Sequence, residues 1–121
     1  MLIAASHFEN YGCEIISHKA ATMESIEAIA ARLRRLRLAY GFQQARAWCE
    51  HIGVLETVWN PFERGARRIT LDVALKVCAH TGASLDWIYR GMEHTLPMHV
   101  IERLRSVSED DVELTDRRKR A

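Results

Sequence analysis

Much of what non-helical or secreted architectures need is scarce in this sequence. Two prolines, six glycines and 7% aromatic residues leave few turn signals in 121 residues, and no segment keeps the polar/apolar alternation of a half-buried strand. Three cysteines, Cys13, Cys49 and Cys78, are an odd number without framework spacing. That argues against a disulfide scaffold and for a reducing compartment. No window approaches the roughly 18 consecutive apolar residues of a membrane span. The opening MLIAASHFENYGCEI has neither the basic flank nor the long apolar stretch of a secretory signal, so the expected location is cytoplasmic. An excess of one charge sign is missing too: 17 Lys and Arg face 16 Asp and Glu, a formal net charge of +1.

Catalytic equipment is also lacking. There is no Gly-rich phosphate loop, no strand–turn–helix motif and no nucleophile–base–orienter set, so neither an enzyme nor a cofactor is expected. Cys49-Glu50-His51 and Cys78-Ala79-His80 resemble metal-ligand pairs. Each cysteine, however, falls on an apolar helix face where a small hydrophobe belongs, so no metal is expected.

What the sequence does have is helical periodicity. Ile26, Ile29, Ala30, Leu33, Leu36 and Tyr40 recur at i, i+3, i+4 spacing and stop at Gly41, which defines a first helix. Ala45, Trp48, Cys49 and Ile52 repeat the pattern over barely two turns before Gly53, a residue able to take the positive φ of a sharp turn. A third short segment places Val58, Trp59 and Phe62 on one side and ends at Gly65. A fourth opens at Thr70 as N-cap, turns Leu71, Ala74, Leu75 and Cys78 inward and closes at Gly82. A fifth opens at Ser84, carries Leu85, Ile88 and Tyr89 and stops at Gly91; Leu96-Pro97 then starts a short last helix through Val100, Ile101 and Leu104. The expected organisation is an irregular or weakly helical arm over 1–23, an all-α domain over 24–105 and a disordered charged tail over 106–121.

Two short helices joined by a few residues containing glycine cross steeply, and the second then projects from the domain. Trp48, Cys49, Ile52, Gly53, Trp59 and Phe62 form the core of this pair, with Cys49 small enough for the later helix to pass over it. Glu56, Thr57, Asn60 and the edge of Val58 are left facing outward. Arg37 lies on the apolar face of the first helix and needs a partner. Glu63, next to the inward Phe62, is the carboxylate placed to offset its burial. Basic residues concentrate in the middle of the chain, ten against seven acids between Glu24 and Gly91, which localises a modest positive excess.

At this point RLRRLRLAYGF, AWCEHIGV and WNPFERGARRITLDVALKVCAHTGASLDWIYRG, taken together, resemble the lambda repressor-like (Xre and Cro) family of phage and bacterial regulators over about residues 26–91. The resemblance implies a compact five-helix domain that binds double-stranded DNA as a homodimer, probing bases with Glu56, Thr57 and Asn60. It implies phosphate contacts from Gln43 and Gln44 and from Arg64, Arg67 and Arg68, with Arg34 and Arg35 as weaker candidates. The Arg37 to Glu63 ion pair is similar to one that this family uses. The expected function is therefore a transcriptional regulator, as a repressor. Three features depart from the pattern: Pro61 inside the third helix, Leu55 where a hydroxyl N-cap is usual, and Ala45 where a phosphate-binding Gln is expected. They motivate a second reading, an antitoxin-like or co-regulator interaction module on the same fold.

Overall fold

The computed structural model describes residues 25–108 and 110–112; the arm expected over 1–23 and the tail beyond residue 112 lie outside the described residues. The described residues are helical, with no strand among them. In chain order the helices are α1 (Ile26–Ala39), α2 (Ala45–Ile52), α3 (Glu56–Glu63), α4 (Leu71–Thr81), α5 (Leu85–Arg90) and α6 (Met98–Arg105), with a 3₁₀ turn at Glu93–Thr95 before α6.

Helix α1 is the central element and packs against α3, α5 and α6. Ser25 caps it, the hydroxyl accepting from the Ala28 amide at 3.1 Å. Its last turns bury Leu36, Arg37, Leu38 and Ala39 consecutively, so this end is enclosed on every side. Hydroxyl caps open α4 and α5 as expected, through Thr70 to the Val73 amide and Ser84 to the Trp87 amide. Trp48, Trp59 and Trp87 are fully enclosed and dominate the core volume.

The register of α4 differs from the expected one. Its buried face is Val73, Ala74, Val77 and Thr81, while Leu71 and Leu75 are exposed and Cys78 is half-buried. Apolar residues at 71, 73, 74, 75, 77 and 78 make two overlapping stripes, and periodicity alone does not choose between them. With three indoles filling the core, the gap beside α2 and α5 suits the slimmer valine and alanine stripe.

The boundary at residue 105 also moves. Val107 and Val112 are buried against the core. Ser108 and Asp111 bond reciprocally: the Asp111 carboxylate accepts from the Ser108 amide at 3.2 Å and the Ser108 hydroxyl from the Asp111 amide at 3.1 Å. This capping box opens a further helical turn at 110–112, so packed structure continues into the segment expected to be disordered.

Gly53 closes α2 with φ of +77°, its amide donating to the Cys49 carbonyl at 2.9 Å. A Cβ there would meet nothing within 4 Å, so the demand for glycine is conformational and not steric. Gly53→Ala is expected to cost about 1–2 kcal/mol in urea unfolding, the penalty of a left-handed backbone for an L side chain, and Gly53→Asn to recover part of that loss. Equal stability of all three proteins would exclude the strained turn.

Candidate nucleic-acid interface

The candidate site is assembled around one guanidinium. Arg37 is 1% exposed and Glu63 1%, and the two are bidentate: Nε donates to Oε2 and Nη2 to Oε1, each at 2.9 Å. The remaining nitrogen, Nη1, donates to the carbonyls of Phe42 at 2.8 Å and Gln43 at 2.9 Å. The Trp59 indole adds a third donor to the carboxylate, Nε1 to Oε2 at 2.6 Å. The expected ion pair is therefore present, and its geometry does more than neutralise a charge. It holds the residues just before α2 and the last residue of α3 on opposite sides of the same side chain.

That arrangement links the chain segments that carry the two groups of expected phosphate contacts, at Gln43 and at Glu63. Gln43 and Gln44 are exposed at the start of α2, and Gln44 is its N-cap without a side-chain cap bond. The first amides of α2 consequently keep their partial positive charge toward the surface. On the other side of Arg37, Arg64 is the C-cap of α3, and Arg64 and Arg67 are exposed. Neither of these two guanidiniums pairs with a carboxylate among the described residues. Arg68 is half-buried.

Helix α3 is pinned from beneath. Trp59 is 0% and Phe62 3% exposed, and Trp59 meets Trp48 of α2 edge-on at a centroid distance of 5.9 Å. Glu56, Thr57 and Val58 are exposed and Asn60 half-exposed, so the expected outward residues do share the surface opposite the anchors. Cys49 and Ile52 lie in the core beneath the turn. Pro61 does not end α3, which runs on to Glu63; its missing N–H deprives only the Thr57 carbonyl of a helical donor. The chain then folds back, with the Ala66 and Arg67 amides both donating to the Pro61 carbonyl. Ala45, one of the departures from the family pattern, is buried.

Arg34 and Arg35 are placed differently from the outer surface expected of them. Both are half-buried: Arg34 Nη1 donates to the Glu63 carbonyl, and Arg35 donates through Nε and Nη2 to the Leu104 carbonyl. They add side-chain donors to carbonyls at the ends of α3 and α6, where the regular helical ladder stops. Lys76 of α4 likewise donates to the Gly53 carbonyl at 3.1 Å, tying α4 to the turn. These links were missed in the sequence because nothing in local spacing marks an arginine or lysine for a distant backbone oxygen.

Around the cysteines the chemistry is apolar. Cys49 is buried, and burial pushes the Cys78 thiol above its ordinary range, which disfavours the thiolate a metal requires. His51 and His80 meet edge-on at 5.2 Å. Among the described residues no group of three or more His, Cys, Asp or Glu is placed to hold a metal ion. None of the described helices is long and apolar enough to cross a membrane. No protein-family model matches the chain, and no curated protein or solved structure is significantly similar to it.

The loop carrying Arg67 and Arg68 is tied down by Tyr89 of α5, whose hydroxyl donates to the Ile69 carbonyl at 2.7 Å. Burial raises the Tyr89 phenol above its ordinary value of 10.0, Cys78 adds to the rise, and Arg68 opposes it. An acid raised on folding favours its protonated form in the native state. Its contribution is complete below the unfolded value and lost as pH climbs through the folded one. Urea midpoints measured from pH 8 to 11 should therefore fall above about pH 10, and fall less steeply in Tyr89→Phe. Identical alkaline limbs in the two proteins would remove Tyr89 from this role.

Proposed function

We propose that the protein is a sequence-specific DNA-binding regulator of the lambda repressor-like kind, a cytoplasmic homodimer acting as a repressor. In this reading α2 and α3 form a helix-turn-helix, and each subunit lays α3 in a major groove, the two half-sites roughly 34 Å apart. One observation supports it most: a buried guanidinium joins the exposed start of α2 to the end of α3, through the Gln43 carbonyl and the Glu63 carboxylate, with Gln44 next along the chain from the one and Arg64 from the other. Phosphates on either side of a groove call for contacts arranged in this way, with a helix seated between them. Glu56, Thr57 and Asn60 then face base edges, and Glu56, an acceptor only, suits the amino group of cytosine.

The interaction-module reading has its own support. Leu55, at the N-cap of α3, is 72% exposed and leaves apolar surface that burial against a protein partner would stabilise. The two readings separate in one titration against random duplex at low salt. DNA binding predicts measurable affinity that falls linearly in log–log form with salt. Arg67→Ala should weaken binding to every sequence alike and reduce that slope by about one, whereas Asn60→Ala should reorder preferences among sites. A folded protein that binds no duplex at low salt would overturn the regulator reading in favour of the interaction module.

A further inference from the structure

Resting on the DNA-binding reading, we infer that Leu55 and Val58 are specificity-determining residues that recognise thymine through its methyl group. Leu55 is 72% and Val58 41% exposed. Leu55 is the extended N-cap of α3 (φ −68°, ψ 141°) and Val58 lies in its first turn, so both stand at the entry end of the helix. The fold makes little use of them, since α3 is held from the other side by Trp59, Phe62 and Glu63. Each leaves aliphatic surface in water that would gain free energy if covered.

What covers it is indicated by the neighbours. Between residues 55 and 60 there is no arginine, lysine or glutamine, so this surface lacks the cationic donors that most often grip guanine. In the major groove the C5 methyl of thymine is the one base-edge group that an aliphatic side chain covers without stranding a polar atom. Arg64, the C-cap of α3, and Arg67, in the loop after it, are both exposed and complement a polyanion and not a second apolar surface. The occupant that satisfies both the apolar pair and the cations is duplex DNA with thymines opposite Leu55 and Val58. Glu56, in the first turn of the same helix, accepts from an exocyclic amine of another pair, and the contacted strand is poor in guanine.

The experiment begins with duplexes selected from a random pool by the full-length protein. Each thymine of the selected site is replaced in turn by deoxyuridine, which removes only the methyl, and affinity is measured for the wild type, Val58→Ala and Leu55→Ala. At the contacted positions deoxyuridine is expected to weaken wild-type binding about fourfold, the value of one buried carbon. That penalty should vanish for Val58→Ala at one position and for Leu55→Ala at another. Both side chains are exposed, so circular dichroism and urea midpoints of the variants should match the wild type. If every deoxyuridine site is bound as tightly as the parent, the thymine proposal fails while DNA binding stands. A methyl penalty that persists unchanged in both variants also overturns it, assigning the contact elsewhere. If selection recovers no duplex, and Val58→Asp abolishes self-association, the apolar pair is a protein contact, and the DNA reading fails with the proposal.

Discussion

A charge sealed inside a small helical domain is the constraint on which the rest of this structure depends. Taking a guanidinium and a carboxylate out of water costs several kcal/mol per ion, recovered only when geometry and further hydrogen bonds are nearly complete. Arg37 meets that demand with four bonds directed to three places: both carboxylate oxygens of Glu63 and the carbonyls of Phe42 and Gln43. Glu63 in turn accepts the Trp59 indole. A hydrophobic trio of similar volume would pack as well, but it would not dictate how far α3 slides along α1 or where α2 begins. The ion pair therefore contributes position more than net stability, fixing the entry to α2 against the last residue of α3.

The same economy explains the distribution of positive charge. The excess between Glu24 and Gly91 is modest and localised, and most of those residues serve the fold. Arg32, Arg34 and Arg35 donate to the carbonyls of Ile88, Glu63 and Leu104, and Lys76 to that of Gly53. Arg46 and Arg90 sit beside carboxylates one turn away on their own helices. Helix ends leave carbonyls without partners, and in a domain of short helices those ends are numerous. Once these residues are set aside, the basic character that remains lies in the loop after α3. A charge total says little about a partner, because identical residues act as internal caps in one place and as solvent-facing cations in another.

How far the sequence could be read follows from which signals are local. Helix positions, the hydroxyl caps at Thr70 and Ser84, the turn at Gly53 and the anchors Trp59 and Phe62 all depend on spacing within one or two turns, and all were legible. The Arg37 to Glu63 pair was legible for a different reason: an arginine on an apolar face has to be answered, and one carboxylate lay beside another inward residue. The face of α4 was not legible, because two apolar stripes overlap and only the shape of the surrounding core selects between them. The Ser108 to Asp111 capping box was visible in principle, as a hydroxyl followed three residues later by a carboxylate. It was hidden by an acidic run that reads as solvated tail. The carbonyl partners of Arg34, Arg35 and Lys76 depend wholly on tertiary arrangement. Of the candidate site, spacing supplied the outward residues of α3; that the Gln43 carbonyl and the Glu63 carboxylate share one guanidinium came only from the fold.

Helix α3 keeps its form without help from the outward side chains of its first turn. It spans eight residues, contains Pro61 and has no side-chain N-cap bond. A segment so short and so poorly capped does not hold helical form alone in water. Its conformation is imposed from below by Trp59, Phe62 and Glu63, whose side chains are enclosed. With the scaffold supplied by those residues, Leu55, Glu56, Thr57 and Val58 are relieved of any part in keeping the helix intact. Leucine is a poor N-cap and valine a mediocre helix former, so neither propensity nor solubility accounts for their presence at exposed positions.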